Sequence, residues 1–215
     1  MSLKNKIIAG VSWSAAERVV GQVCQLAVTV LLARLLSPDD FGLIAIVLVF
    51  IAVSQSLIDS GLSSALIQKS GRDDLDFSTV FHFNVVFGAS IFAILFTLAP
   101  WISELYGEPE LESLLRVLAL SPVIQGLSII QLTKLTIEVD FKAIAKVSLV
   151  SIFVSSSVAV YLASIGVGVW ALAVQLLLNN VIYTILLWVF VDWKPKLVFS
   201  ISSFFGLFQF GWKLL

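Results

Sequence analysis

The sequence predicts an all-α polytopic membrane protein with six transmembrane helices and the start of a seventh. Three observations carry that prediction. Apolar residues make up 59% of the 215 and charged residues 13%, against roughly 45–50% and about 25% in soluble chains, and mean hydropathy is +1.04. A soluble core of this size does not hide that much apolar surface. The few charges leave long windows free of Asp, Glu, Lys and Arg, and the basic residues fall unevenly between alternate loops.

Each span follows from those windows, since a crossing helix needs about 20 mostly apolar residues. The first, near 7–35, is long and carries Glu17 and Arg18 within it. Lys4 and Lys6 ahead of an apolar run resemble a signal peptide, but the run outlasts an h-region and is interrupted by Glu17-Arg18. It therefore reads as a retained helix. The second, near 41–58, fits the 18 uncharged residues between Asp40 and Asp59, and the third, near 78–100, the 27 between Asp76 and Glu104. The fourth, near 114–133, fits the 17 between Arg116 and Lys134. Residues 147–191 contain no charge at all and are too many for one span. They suit two, near 146–165 and 169–191, with a turn at Gly166-Val167-Gly168. A seventh begins around Ser203 and breaks off at Leu215, so the chain divides into a six-helix lobe over 1–200 and a helix start over 201–215.

With a cytoplasmic N-terminus, inner segments hold Lys4, Lys6, Lys69, Arg72, Lys134, Lys142, Lys146, Lys194 and Lys196, and outer segments only Arg34 and Arg116. The positive-inside rule favours that orientation. Trp101, Tyr106, Tyr161 and Trp170 then fall near the outer interface, and Trp13, Trp188 and Trp193 near the inner one, as aromatic belts require.

Several chemistries are disfavoured. A formal net charge of −1 lacks the basic surface that nucleic-acid binding needs. The lone Cys24 forms no intrachain disulfide, and one cysteine with one histidine builds no zinc site. No phosphate loop, nucleophile elbow or HExxH occurs, so no cofactor and no catalytic residue is expected. Asp73-Asp74-Leu75-Asp76 is an acidic run that could hold Mg²⁺ for a transferase. Beside Lys69 and Arg72, and without a second acidic motif, it reads as a solvated loop.

The informative residues lie inside the membrane. Ser14, Arg18, Gln22, Gln25 and Thr29 recur at helical spacing and line one face of the first helix. Arg18 sits about 18 Å of helix rise beyond Lys6, at mid-membrane depth, where a cation needs a partner or a hydrated cavity. One reading gives Arg18 an anionic ligand; the other gives it a structural ion pair involving the surroundings of Glu17, or Asp59. Softer stripes follow in Ser121, Gln125, Ser128 and Gln131, in Gln175, Asn179 and Tyr183, and in Ser148, Ser151 and Ser155. Each alone reads as interhelical glue; together they suggest a shared polar interior and a transporter or channel. Lys213 lies at membrane depth in the seventh helix, facing the same lumen or snorkelling to an interface. His82 and Asn84 open the third helix, where a histidine most simply packs and hydrogen-bonds, with a proton relay as the alternative.

Five stretches in order resemble a known family. They are Leu32-Ala33-Arg34-Leu35-Leu36-Ser37-Pro38-Asp39-Asp40-Phe41-Gly42, Asp59-Ser60-Gly61-Leu62-Ser63-Ser64-Ala65-Leu66-Ile67-Gln68, Ser78-Thr79-Val80-Phe81 with Asn84, Glu108-Pro109-Glu110-Leu111, and Val139-Asp140-Phe141-Lys142. Together they resemble the Wzx-type O-antigen and polysaccharide flippases of the MOP exporter superfamily, from about residue 7 onward. That resemblance implies two six-helix lobes related as parallel repeats, of which this chain is the first lobe and the start of the second. It implies alternating access, with an undecaprenyl-pyrophosphate-linked oligosaccharide crossing the bacterial inner membrane for O-antigen, capsule or exopolysaccharide assembly. Its partners would be the lipid-linked oligosaccharide, membrane lipids, and glycan polymerase and chain-length proteins. Arg18, and after it Lys213, would meet pyrophosphate, with Gln22 and Gln25 beside them; Glu17, Asp59, His82 and Asn84 would be coupling or structural partners. A MATE-like cation-coupled antiporter would share the fold and use Glu17 or Asp59. A membrane-embedded glycan polymerase is the enzyme alternative, against which the short outer loops speak.

Overall fold

The computed structural model describes the backbone of residues 3–58 and 61–211, and side chains from Val19 onward, Phe210 excepted. Among these residues there is no strand. Helices run in the order α1 (Leu3–Leu35), α2 (Pro38–Ile58), α3 (Leu62–Gln68), α4 (Asp74–Tyr106), α5 (Pro109–Leu118), α6 (Leu120–Ile137), α7 (Phe141–Ser164), α8 (Trp170–Phe190) and α9 (Ile201–Gly211). Five segments are long and apolar enough to cross a membrane: Pro38–Gln68, Asp74–Tyr106, Pro109–Ile137, Phe141–Ser164 and Trp170–Phe190. Val19–Leu35, within α1, is a shorter apolar helix. The chain is an all-α, multi-pass membrane protein.

The helices run past the charge-free windows because charged residues cap their ends. Asp73 is the N-cap of α4 and closes a capping box with Asp76: its side chain accepts from the Asp76 N–H at 2.9 Å, and the Asp76 side chain accepts from the Asp73 N–H at 3.2 Å. The acidic run is thus a helix start rather than a solvated loop. The acidic segment after Gly107 is also helical. Pro109 opens α5, with Glu110 and Glu112 in its first turn, where a proline lacks only an N–H that would be orphaned anyway and carboxylates meet the positive helix end. Between α7 and α8 the chain reverses at Gly166 (φ 78) and Gly168 (φ 67), left-handed conformations that cost glycine nothing.

Lipid removes the hydrophobic drive between helices, so close van der Waals fit and small residues must supply association. The α4/α6 crossing meets that demand with reciprocal glycines. A Cβ on Gly88 would stand 2.7 Å from the Pro122 carbonyl oxygen, and one on Gly126 2.7 Å from that of Asn84. Helices α7 and α8, which pack on each other, bury Ala159 and Ala163 on the first and Ala171 and Ala173 on the second. At the α3/α9 contact, Gly61 meets Gly211 backbone to backbone, and a Cβ on Gly61 would fall against the Gly211 carbonyl oxygen. Leu66, Val80, Leu111, Leu114, Leu115 and Ile130 fill the core between α3, α4, α5 and α6, while α1 packs on α7 at the other side of the bundle.

Candidate functional site

Three kinds of polar placement emerge: exposed on α1, enclosed at mid-span, and tied down at one end. On α1, Gly21 and Leu32 are buried in the seam against the bundle, and Val19, Val23, Leu26 and Val30 are exposed on the far side. Gln22, Gln25 and Thr29 are exposed between these two faces, as 100° per residue places them. Thr29 donates its hydroxyl to the Gln25 carbonyl at 2.8 Å, which leaves both glutamine amides to other partners. The side chains of Glu17 and Arg18, and the whole of Asp59 and Lys213, lie outside the described residues.

The second placement is a cleft of about 250 Å³ between α2, α6 and α8, lined by Gln55, Gln125, Ser128, Ile129, Leu132, Asn180, Tyr183 and Thr184. Gln55, Gln125 and Asn180 each fall near the middle of an apolar span. The α6 and α8 stripes legible in the sequence therefore meet here through Gln125, Ser128 and Tyr183, and α2 adds Gln55. Ser128 donates to the Gln125 carbonyl at 3.0 Å, and Thr184 to the Ile124 carbonyl at 3.4 Å. Gln125 Oε1 and Asn179 Oδ1 are buried and accept from no group among the described residues. The described lining carries no charge.

Other stripe members are fixed to the protein itself. Ser151 lies within hydrogen-bond reach of the Val147 and Ser148 carbonyls, and Ser155 donates to the Ile152 carbonyl. Gln175 Nε2 donates to Ser156 Oγ at 3.3 Å, tying α8 to α7. Gln175 thus joins two helices, while Ser151 and Ser155 bond back to their own. Asn84 and Gln131 differ again: both are fully buried, and both ends of each amide lack a partner among the described residues. Asn84 sits at the α4/α6 crossing, where its backbone touches Gly126.

The third placement gathers the start of α4 and the 191–200 segment. Lys69 pairs with Asp76 at 2.6 Å, the carboxylate being 2% exposed, and Lys196 pairs with Asp74 at 2.8 Å. Trp193 Nε1 donates to Asp74 Oδ1 at 3.2 Å, the Lys196 N–H to Ser78 Oγ at 3.1 Å, and the Ser200 N–H to Thr79 Oγ1 at 3.1 Å. His82 Nε2 donates to the Lys196 carbonyl at 2.8 Å. Lys134 lies over the rings of Phe77 and Trp193, at 4.6 and 5.5 Å. The hydrogen bond to Asp74, and then its charge, raise the Lys196 pKa above the usual lysine value. That contribution is present through neutral pH and is lost only as pH climbs past the lysine range. Sequence reasoning missed this clasp. Its one local signal was Asp73 followed three residues later by Asp76, a capping pair just before an apolar run.

Among the described residues, no group of three or more His, Cys, Asp or Glu could hold a metal ion. The profile of the family described as "Polysaccharide biosynthesis protein" matches residues 31–215. The succinoglycan biosynthesis transport protein ExoT of Rhizobium meliloti is 26% identical over 97% of this chain and 42% of its own length. The lipopolysaccharide biosynthesis protein WzxC of Escherichia coli is 28% identical over 98% of this chain and 43% of its own. The teichuronic acid biosynthesis protein TuaB of Bacillus subtilis is 24% identical over 98% and 44%. The chain thus spans less than half the length of these relatives. No solved structure matches it.

Proposed function

The chain belongs to the polysaccharide biosynthesis protein family, and from that premise we propose that it forms the first lobe of a flippase for undecaprenyl-pyrophosphate-linked oligosaccharide. The observation that carries this reading is the family match across 31–215, joined by a relative named as a succinoglycan biosynthesis transport protein. The polar groups support it. An alternating-access carrier must offer hydrogen bonds at mid-membrane depth that its own fold does not consume, and α1 and the α2/α6/α8 cleft both do so.

In this reading the N-terminus is cytoplasmic, and sugar and pyrophosphate cross the bacterial inner membrane while the lipid tail stays in the bilayer. Arg18, on the same helical face as Gln22 and Gln25, presents a planar fork of donors to pyrophosphate. A guanidinium at that depth is otherwise costly. Lys213, two residues beyond α9 in the sequence, adds a second cation. Glycan polymerase and chain-length proteins are the expected downstream partners.

The test uses the intact natural gene product in inverted inner-membrane vesicles, following radiolabelled undecaprenyl-pyrophosphate oligosaccharide across the bilayer. Wild type moves it, and Arg18→Ala at equal protein level slows transfer roughly tenfold or more, the scale of one lost charged hydrogen bond. No transfer by wild type, with dye efflux that depends on Glu17, would replace this reading with a cation-coupled antiporter.

A further inference from the structure

We infer that the cleft between α2, α6 and α8 is a subsite for one uncharged sugar residue of the transported glycan, separate from the place where its pyrophosphate binds. The inference rests on the flippase reading and goes past it by assigning the chemistry of this cleft. Four observations support it.

Size comes first. About 250 Å³ exceeds the share of a single water several-fold, so the cleft admits a ring-sized polar group. Depth is the second: its lining residues Gln55, Gln125 and Asn180 come from the middle of three apolar spans, where bulk water does not satisfy them. The third is hydrogen-bond polarity. The hydroxyl protons of Ser128 and Thr184 are committed to α6 carbonyls, which leaves their oxygens as acceptors, and the amides of Gln55, Gln125 and Asn180 in the lining can both donate and accept; Gln125 Oε1 itself is buried and has no donor among the described residues. A ligand that both donates and accepts suits this lining, as sugar hydroxyls do. The fourth is charge. The described lining has no cation to meet a phosphate or carboxylate, and an anion taken out of water without a counter-charge is costly. Tyr183 adds a ring against which the apolar face of a pyranose can lie.

The consequence is a division of labour within one lobe. A mid-membrane cation on α1 suits the anionic part of the substrate, and the neutral cleft reads a hydroxyl-bearing ring. Acidic sugars are disfavoured at this position.

The test measures binding by the intact gene product in lipid nanodiscs. Two radiolabelled probes are used: undecaprenyl pyrophosphate bearing a trisaccharide of neutral hexoses, and bare undecaprenyl pyrophosphate. Gln125→Leu is expected to weaken the trisaccharide probe roughly tenfold, and Thr184→Val several-fold, with the bare lipid held as by wild type. Both variants are checked for wild-type thermal stability, and the second keeps the test open if the first does not fold. Unchanged trisaccharide affinity in a folded variant overturns the inference. So does equal loss of both probes, which would place pyrophosphate in the cleft, or a shift in sodium dependence alone, which would make it a cation site. Wild type that binds neither probe overturns the flippase reading itself, and the cleft assignment with it.

Discussion

The start of α4 and the middle of α6 lie on neighbouring helices and are both rich in polar side chains, yet they use them in opposite ways. At the α4 end, carboxylates face ammonium groups, an indole and hydroxyls face carboxylates and backbone, and a histidine faces a carbonyl. Most of those groups find partners within the chain itself, Asp76 Oδ1 being an exception. In the middle of α6 and α8, amides with no charge hold oxygen atoms that nothing among the described residues satisfies. A protein spends polar groups in a membrane either to fix its own frame or to receive something else. The contrast separates frame from receptor without reference to any motif.

The comparison can be broken hardest at the crossing that joins the two regions. Gly126→Leu forces a side chain into the Asn84 carbonyl, where a Cβ alone would come within 2.7 Å. We expect a loss of about 3 kcal/mol or more, read as a collapse of thermal stability in detergent and poor membrane accumulation. Next comes Asp76→Ala, which removes a nearly buried carboxylate and half of the α4 capping box. Lys69 is itself 38% exposed and can turn to water, so the cost is nearer 2 kcal/mol than that of a fully buried pair. Gln131→Leu should change the sign. It replaces a buried amide that has no partner among the described residues, and the melting temperature should rise by the equivalent of about 1 kcal/mol. A fall of similar size would mean that Gln131 is satisfied by something bound, and would move it to the receptor side. The smallest effect belongs to Lys196→Ala. Both members of that pair are about half exposed, so the melting temperature should barely move and the remaining difference should vanish in high salt.

Much of this frame is legible in the sequence, and the exceptions have physical causes. Apolar windows and the Gly166-Val167-Gly168 turn depend only on local composition, and they located most of the helical segments. Helix ends were harder, because charge was used to exclude residues from spans while Asp73, Asp76 and Glu110 use charge to begin helices. The charge of Asp59 ends the second span at 58 in the sequence reading, although Leu62–Gln68 is helical and the apolar segment extends over Pro38–Gln68. Stripe arithmetic found Gln125, Ser128, Gln175 and Ser155 as equals. Only packing divides them, since Gln175 reaches Ser156 across a seam of small residues while Gln125 opens on a cleft. Gln55 escaped notice because its helix shows no polar periodicity. The clasp was invisible for another reason: Trp193, Lys196 and Ser200 reach residues more than a hundred positions earlier, and no local pattern encodes that partnership.

The Gly61–Gly211 contact carries a consequence for descent rather than for energy. Neither position can accept a side chain while the other chain segment stays where it is, so neither has a neutral neighbour in sequence space. A lineage that replaced one glycine would have to reposition α9 first, and substitutions near Ile201–Gly211 would then precede any change at residue 61. Aligned sequences should therefore show the two positions as glycine together, or changed only alongside substitutions in the Ile201–Gly211 segment.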